Sequence, residues 1–170
     1  MLPHYNVLFL CTGNSARSIM AEAILNFKGK PDFTGYSAGS HPTGRVRPEA
    51  LRQLESAHIP TQGLRSKAWD EFSLSSAPKL DFVFTVCNSA AKEVCPVWPG
   101  QLMTAHWGIA DPATVHGTEA EVARAFREAF FMLDRRINLL LSLPLASLDE
   151  LAIKREIDNI GRTMSPVTQE

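Results

Sequence analysis

Val7-Leu8-Phe9-Leu10-Cys11-Thr12-Gly13-Asn14-Ser15-Ala16-Arg17-Ser18 is an apolar, strand-like run followed by a polar turn that opens a helix-like run. A loop entering a helix N-terminus presents backbone N–H groups that have no intrahelical partner, and the helix dipole adds partial positive charge there. Tetrahedral anions suit such a place. The same field stabilises a thiolate, so Cys11 is expected to ionise well below a free thiol's pKa of about 8.5. Gly13 and Asn14 are the residue types that tolerate positive φ, which lets consecutive N–H groups converge on one centre. Arg17 can fold back and grip two oxygens at once. The oxyanion-binding candidates are therefore Thr12, Gly13, Asn14, Ser15, Ala16, Arg17 and Ser18, with Cys11 as nucleophile. A buried, inert cysteine before an ordinary turn would explain the same letters less well, because strand end, turn glycine, arginine and helix start all coincide.

Outward from this stretch, Tyr5 to Leu10 reads as a buried strand. Ile19, Met20, Ala23, Ile24 and Phe27 then fall on one helical face that Gly29 and Pro31 end. Phe33 to Ser37 is a second strand, followed by the turn-rich segment from Gly39 to Gly44. Pro48 starts a helix carrying Ala50, Leu51, Leu54 and Ala57, which Pro60 closes. A short helix around Ser66 to Phe72 precedes the strand Asp81 to Val86, with Cys87 at its end. Asn88 to Gly100 reads as a loop with a helical turn at Ala90 to Val94, and Gln101 to His106 as a fourth strand. Thr118 and Glu121 form a capping-box pair ahead of a long amphipathic helix bearing Val122, Phe126, Phe130, Leu133, Ile137 and Leu140. Ser147 and Glu150 repeat the device for a last, peripheral helix, Leu148 to Ile160.

This alternation predicts an α/β fold, a single domain with a four-stranded parallel sheet and helices on both faces. Ligands of such sheets bind beyond the carboxyl ends of the strands, where strand order reverses. Cys11, Cys87 and the segment after His106 all lie at such ends.

The composition suits one soluble core. The 170 residues are 45% hydrophobic and 21% charged, with a formal net charge of -1, which offers no basic surface for nucleic acid or an anionic membrane. No apolar run reaches the roughly 18 residues that span a bilayer, so a cytoplasmic protein is expected. Three cysteines make no disulfide scaffold in a reducing compartment and read better as reactive thiols. They also lack the short C-x2-C knuckle of a zinc site.

A thiolate in an anion cradle can attack the central atom of a tetrahedral oxyanion, either to hydrolyse an ester of it or to reduce it. What separates the two chemistries is the other pair of cysteines, Cys87 and Cys95, because a dithiol supplies two electrons as it becomes a disulfide whereas ester hydrolysis needs none. Asp111, in an Asp-Pro turn, is the candidate general acid for the departing oxygen. Its neighbours are Ala113 and Thr114, neither of them aromatic.

The Cys11 to Ser18 loop resembles that of the low-molecular-weight protein tyrosine phosphatase family, and its wording, CTGNSARS, is more similar to the arsenate reductases built on that fold. Tyr36-Ser37-Ala38-Gly39, Glu93-Val94-Cys95-Pro96, His106-Trp107-Gly108 and Asp111-Pro112 extend the resemblance to the thioredoxin-type reductases across most of residues 5–140. It implies a phosphatase-like reductase domain over 1–145 and a helical extension over 146–170. It also implies reduction of arsenate to arsenite for detoxification, with phosphate or sulfate as mimics of the substrate. Cys11 would attack arsenic, Arg17 and the loop amides would bind the oxygens, and Asp111 would act as acid. Cys87 would then form a disulfide with Cys11, and Cys95 would attack Cys87 and export that disulfide. The alternative within the same resemblance is a phosphatase acting on phosphotyrosine or other phosphomonoesters.

No cofactor is implied beyond a potassium ion held by Asn14, Glu22, Ser37 and Asp70. Two departures stand out. Ala16 replaces a further cysteine of one branch, and the interval from Cys87 to Cys95 is longer than in the thioredoxin-coupled branch. The reductant is accordingly expected to be thioredoxin, or glutaredoxin with glutathione.

Overall fold

The computed structural model describes residues 3–87 and 102–163. Four parallel strands, β1 (Tyr5–Leu10), β2 (Phe33–Ala38), β3 (Phe82–Thr85) and β4 (Met103–His106), lie in the order β2-β1-β3-β4. The chain steps from β1 to β2 on one side and then crosses to β3 on the other, so the order reverses at the carboxyl end of β1. The register pairs Leu10 with Ala38 on one flank and with Thr85 on the other, which sets the residues just after β1 and β3 next to each other.

Alternation along β1 sorts the core. Val7 and Phe9 join one apolar cluster and Leu8 and Leu10 another, as the two-residue period of a strand requires. The larger cluster takes the apolar faces of α1 (Arg17–Lys28), α2 (Pro48–Ser56), α3 (Glu119–Leu141) and α4 (Glu150–Gly161). The smaller one is closed by the 3-10 turn Trp69–Ser73, whose Phe72 packs with Leu80 and Val83. The sheet is thus covered on both sides, but unequally. Phe27, expected on the buried face of α1, is half exposed at its last turn.

Local chemistry explains most helix starts. Pro48 occupies the first turn of α2, where its missing N–H costs nothing. The Thr118 hydroxyl accepts from the Glu121 amide at 3.1 Å and starts α3. The cap of α4 differs from the expectation: Asp149 rather than Ser147 accepts from the Ala152 amide, at 2.8 Å. Ser147 is occupied in the preceding 3-10 turn, donating its hydroxyl to the Pro144 carbonyl.

α4 also departs from the peripheral position expected of it. Ile153, Ile157 and Ile160 are buried in the main cluster, and Trp107 donates its indole N–H to the Ile157 carbonyl at 3.0 Å. A Cβ at Gly161 would collide with the His106 carbonyl, so the helix end lies directly on the end of β4. Trp107 in turn stacks on Phe84 with ring centroids 3.9 Å apart. Arg136 donates to the Trp107 carbonyl at 2.5 Å and to the Thr163 carbonyl at 3.0 Å, and burial pushes its pKa down to about 10. The segment leading from β4 to Asp111 is therefore clamped between α3 and α4.

Ile157→Ala should cost about 2–5 kcal/mol, read as a lower urea midpoint with unchanged slope. A loss within about 0.5 kcal/mol would mark α4 as an accessory on a core complete without it.

Candidate active site

The Cys11 loop is shaped by its carbonyls. The Thr12 carbonyl accepts from the His41 amide at 2.9 Å, that of Gly13 from the Thr43 amide at 3.0 Å, and that of Ser15 from the Arg47 amide at 2.8 Å. Ser66 adds a hydroxyl donor to the Gly13 carbonyl at 3.3 Å. Because each peptide unit is planar and trans, turning these carbonyls toward the segment between β2 and α2 turns the following amides the other way, into the loop's interior. The first amides of α1 add to that set, and no side chain caps this helix.

Positive φ is carried by Asn14 alone in this loop, at 45°. Gly13 lies outside the left-handed region, so the requirement expected of both residues falls on one. Asn14 is fully buried, accepting from the Lys67 amide at 2.8 Å and donating to the Ser18 hydroxyl at 2.8 Å, and these bonds hold the strained backbone in place. Gly39 is needed for a different reason. A Cβ there would stand 2.5 Å from the Thr12 carbonyl oxygen and 2.8 Å from that of Cys11, so only glycine lets β2 run on beneath the loop.

Cys11 and Cys87 are both buried, unbridged and beside each other, one just past β1 and one just past β3. The Thr12 amide donates to the Cys87 sulfur at 3.3 Å, so the second thiol reaches the loop itself. This pairing reverses the expectation for Cys11. Its thiol is pushed up from its ordinary value, first by the hydrogen bond with Cys87 and next by burial, while Arg17 and the Thr12 amide pull the other way. Two adjacent thiols share protons, and the loop's positive field acts against that sharing. Cys95 and the expected helical turn at 90–94 lie outside the described residues.

Arg17 and Asp111 meet over the same strand ends. The Trp107 amide bonds to the Thr85 carbonyl at 2.7 Å and the Ile109 amide to that of Val86 at 3.1 Å, continuing the sheet's pairing past β4 toward Asp111. Arg17 donates to the Ile109 carbonyl at 2.9 Å and lies 3.4 Å from the Asp111 carboxylate. Asp111 also accepts from the Ala113 amide at 2.9 Å, which fixes its orientation at the start of the turn Pro112–Thr114.

The four residues expected around a potassium ion are only partly assembled. Ser37 donates to Glu22 Oε1 at 2.8 Å, and Asn14 joins them through Lys67. Asp70 is exposed on its turn, and among the described residues no hydrogen bond or ion pair joins it to the other three. Standing instead beside Glu22 and Ser37 is the Lys67 ammonium, 3.4 Å and 3.3 Å away respectively. Burial lowers the Lys67 pKa and the Glu22 charge opposes that shift. Lys67 had no signal in the sequence, since a lysine in a polar turn ordinarily reads as solvated.

Comparison with known proteins agrees with this geometry. The family model described as low molecular weight phosphotyrosine protein phosphatase matches residues 6–155. An arsenate reductase of Oceanobacillus iheyensis is 35% identical over 133 residues, covering 78% of this chain and 92% of the relative. A solved arsenate reductase in a phosphate-binding state superposes with a TM-score of 0.67 at 25% identity, covering 81% of this chain and 97% of that one. A low molecular weight protein tyrosine phosphatase from T. tengcongensis superposes with a TM-score of 0.66, also at 25% identity, covering 81% and 97%. Fold, loop and sequence similarity together place the chain in the low molecular weight phosphotyrosine protein phosphatase family.

Proposed function

We propose that this chain is a cytoplasmic arsenate reductase that turns arsenate into arsenite through its thiols. The observation that carries this reading is the second thiol: Cys87 lies beside Cys11 and takes an amide of the oxyanion loop, a position that hydrolysis does not use. The similarity to curated arsenate reductases supports it.

In this reading the loop amides and Arg17 hold the oxyanion's oxygens, and Arg17 gives up part of its contact with Asp111 to do so. The Cys11 thiol passes its proton to an oxygen of the bound arsenate and its sulfur attacks arsenic, forming a sulfur–arsenic bond, while Asp111 acts as the acid for the oxygen that leaves as water. Cys87 then attacks the Cys11 sulfur. A disulfide forms, the sulfur–arsenic bond breaks, and its electron pair stays on arsenic, so two sulfurs are oxidised by one electron each and arsenic is reduced by two. Cys95 is the proposed resolving thiol: it attacks the Cys87 sulfur, forming a Cys87–Cys95 bond and releasing Cys11 as a thiolate. A small dithiol protein of the thioredoxin type is the proposed reductant of the resulting Cys87–Cys95 bond, with glutaredoxin and glutathione as the competing supply.

Family membership gives the phosphatase reading its standing, and Arg17 with Asp111 would serve it equally well. The ratio of kcat/KM for arsenate reduction to that for aryl phosphate hydrolysis decides between them, because it compares transition-state binding directly. A ratio well above one supports the reductase. A ratio well below one makes the chain a phosphatase with a buried spare thiol.

Cys87→Ser should bind phosphate as the parent does yet lose arsenate turnover by about a thousandfold or more. Turnover at the parent rate with thioredoxin present would eliminate the relay. Asp111→Asn should lower kcat/KM by about 10²–10⁴, the range for a general acid, without loss of the fold. The Cys11 thiol should also respond to its neighbour. Since Cys87 raises its pKa, Cys87→Ala should move the pH midpoint of Cys11 alkylation downward, and an unmoved midpoint would show that the two thiols do not share protons.

A further inference from the structure

We propose that Lys67 is a built-in cation that positions the oxyanion loop in place of a bound potassium ion. Its ammonium has three donors, and three oxygens of different kinds surround it: a carboxylate oxygen of Glu22 at 3.4 Å, the Ser37 hydroxyl at 3.3 Å and the Arg65 carbonyl at 3.0 Å. A carboxylate, a hydroxyl and a carbonyl are the hard donors that a small monovalent cation would take. Side-chain exposure is 8% for Lys67 and 12% for Glu22, so this is a buried charge with its counter-charge rather than a surface pair.

The same residue reaches the loop through its backbone. The Lys67 amide donates to the side-chain oxygen of Asn14, the loop residue with positive φ, at 2.8 Å. Its carbonyl accepts from the Gly39 amide at 2.9 Å, directly beneath the Cys11 and Thr12 carbonyls. Lys67 therefore ties α1 through Glu22, β2 through Ser37, the residue after β2 through the Gly39 amide, and the loop through Asn14. A second cation at Glu22 and Ser37 would have to displace the ammonium or face it as a like charge at contact distance. The residues present thus fit a lysine and not a lysine with an ion. Lys67 acts through Asn14 and touches no reacting atom.

This inference rests on the loop being an oxyanion site, not on arsenate being the anion, and its test avoids turnover altogether. Melting temperature and affinity for inorganic phosphate are measured on the full chain in potassium, sodium and tetramethylammonium chloride at equal ionic strength. The parent should give the same values in all three salts. Lys67→Ser, which opens the space beside Glu22 and Ser37, should weaken phosphate binding about ten- to a hundredfold in tetramethylammonium. Potassium should then restore both affinity and melting temperature. Lys67→Gln, which fills the space without charge, should lose affinity that no salt restores, and it keeps the test decisive if the serine variant does not fold. A potassium-specific rise in the parent's melting temperature overturns the proposal, as does unchanged phosphate affinity in either variant. Parent protein that binds no phosphate removes the oxyanion site itself, whereas phosphate binding without arsenate turnover removes only the reductase.

Discussion

Everything at this site depends on the parallel pairing of β1 with β3. Parallel pairing puts the carboxyl ends of both strands at one edge of the sheet, and the register that sets Leu10 against Thr85 leaves Cys11 and Cys87 just beyond it. A one-residue slip would turn Cys87 to the opposite face, away from the loop. Phe9 and Phe84 pack on one side of this pair and Leu8 and Val83 on the other, so hydrophobic burial on both faces enforces the register that the thiols require. The core is therefore the device that holds the two sulfurs beside each other.

Much of this was legible in the letters. An apolar run ending at Cys11-Thr12-Gly13-Asn14 can hardly be anything but a strand feeding a loop, and the paired β-branched and aromatic residues around Phe84 mark a second strand as plainly. The positions of Arg17 and Asp111 followed from local spacing and from turn chemistry. Burial of polar groups was not legible. Lys67 and Asp70 sit three residues apart in a polar turn and look alike as letters, yet one lies inside against Glu22 and the other outside. Between them lies Ala68, which bridges to Gly39, a contact between segments far apart along the chain.

Two other differences have the same origin. The loop of Cys11 by itself favours ionisation, while Cys87 and burial push the thiol's pKa up, and local spacing reports neither. The last helix has only a short amphipathic pattern in the sequence, while in the structure Trp107 donates its indole N–H to Ile157. In each case the missing information was a partner distant in sequence.

The bond from the Thr12 amide to the Cys87 sulfur has a consequence for the order of events. An amide proton points at one acceptor at a time, so the sulfur and an anion's oxygen compete for the same berth. In the relay proposed above, an incoming anion that takes the Thr12 amide would displace the sulfur, and the sulfur's return would take that amide back as its own attack begins. Under that proposal, departure of the product and arrival of the second thiol would be one exchange at a single amide.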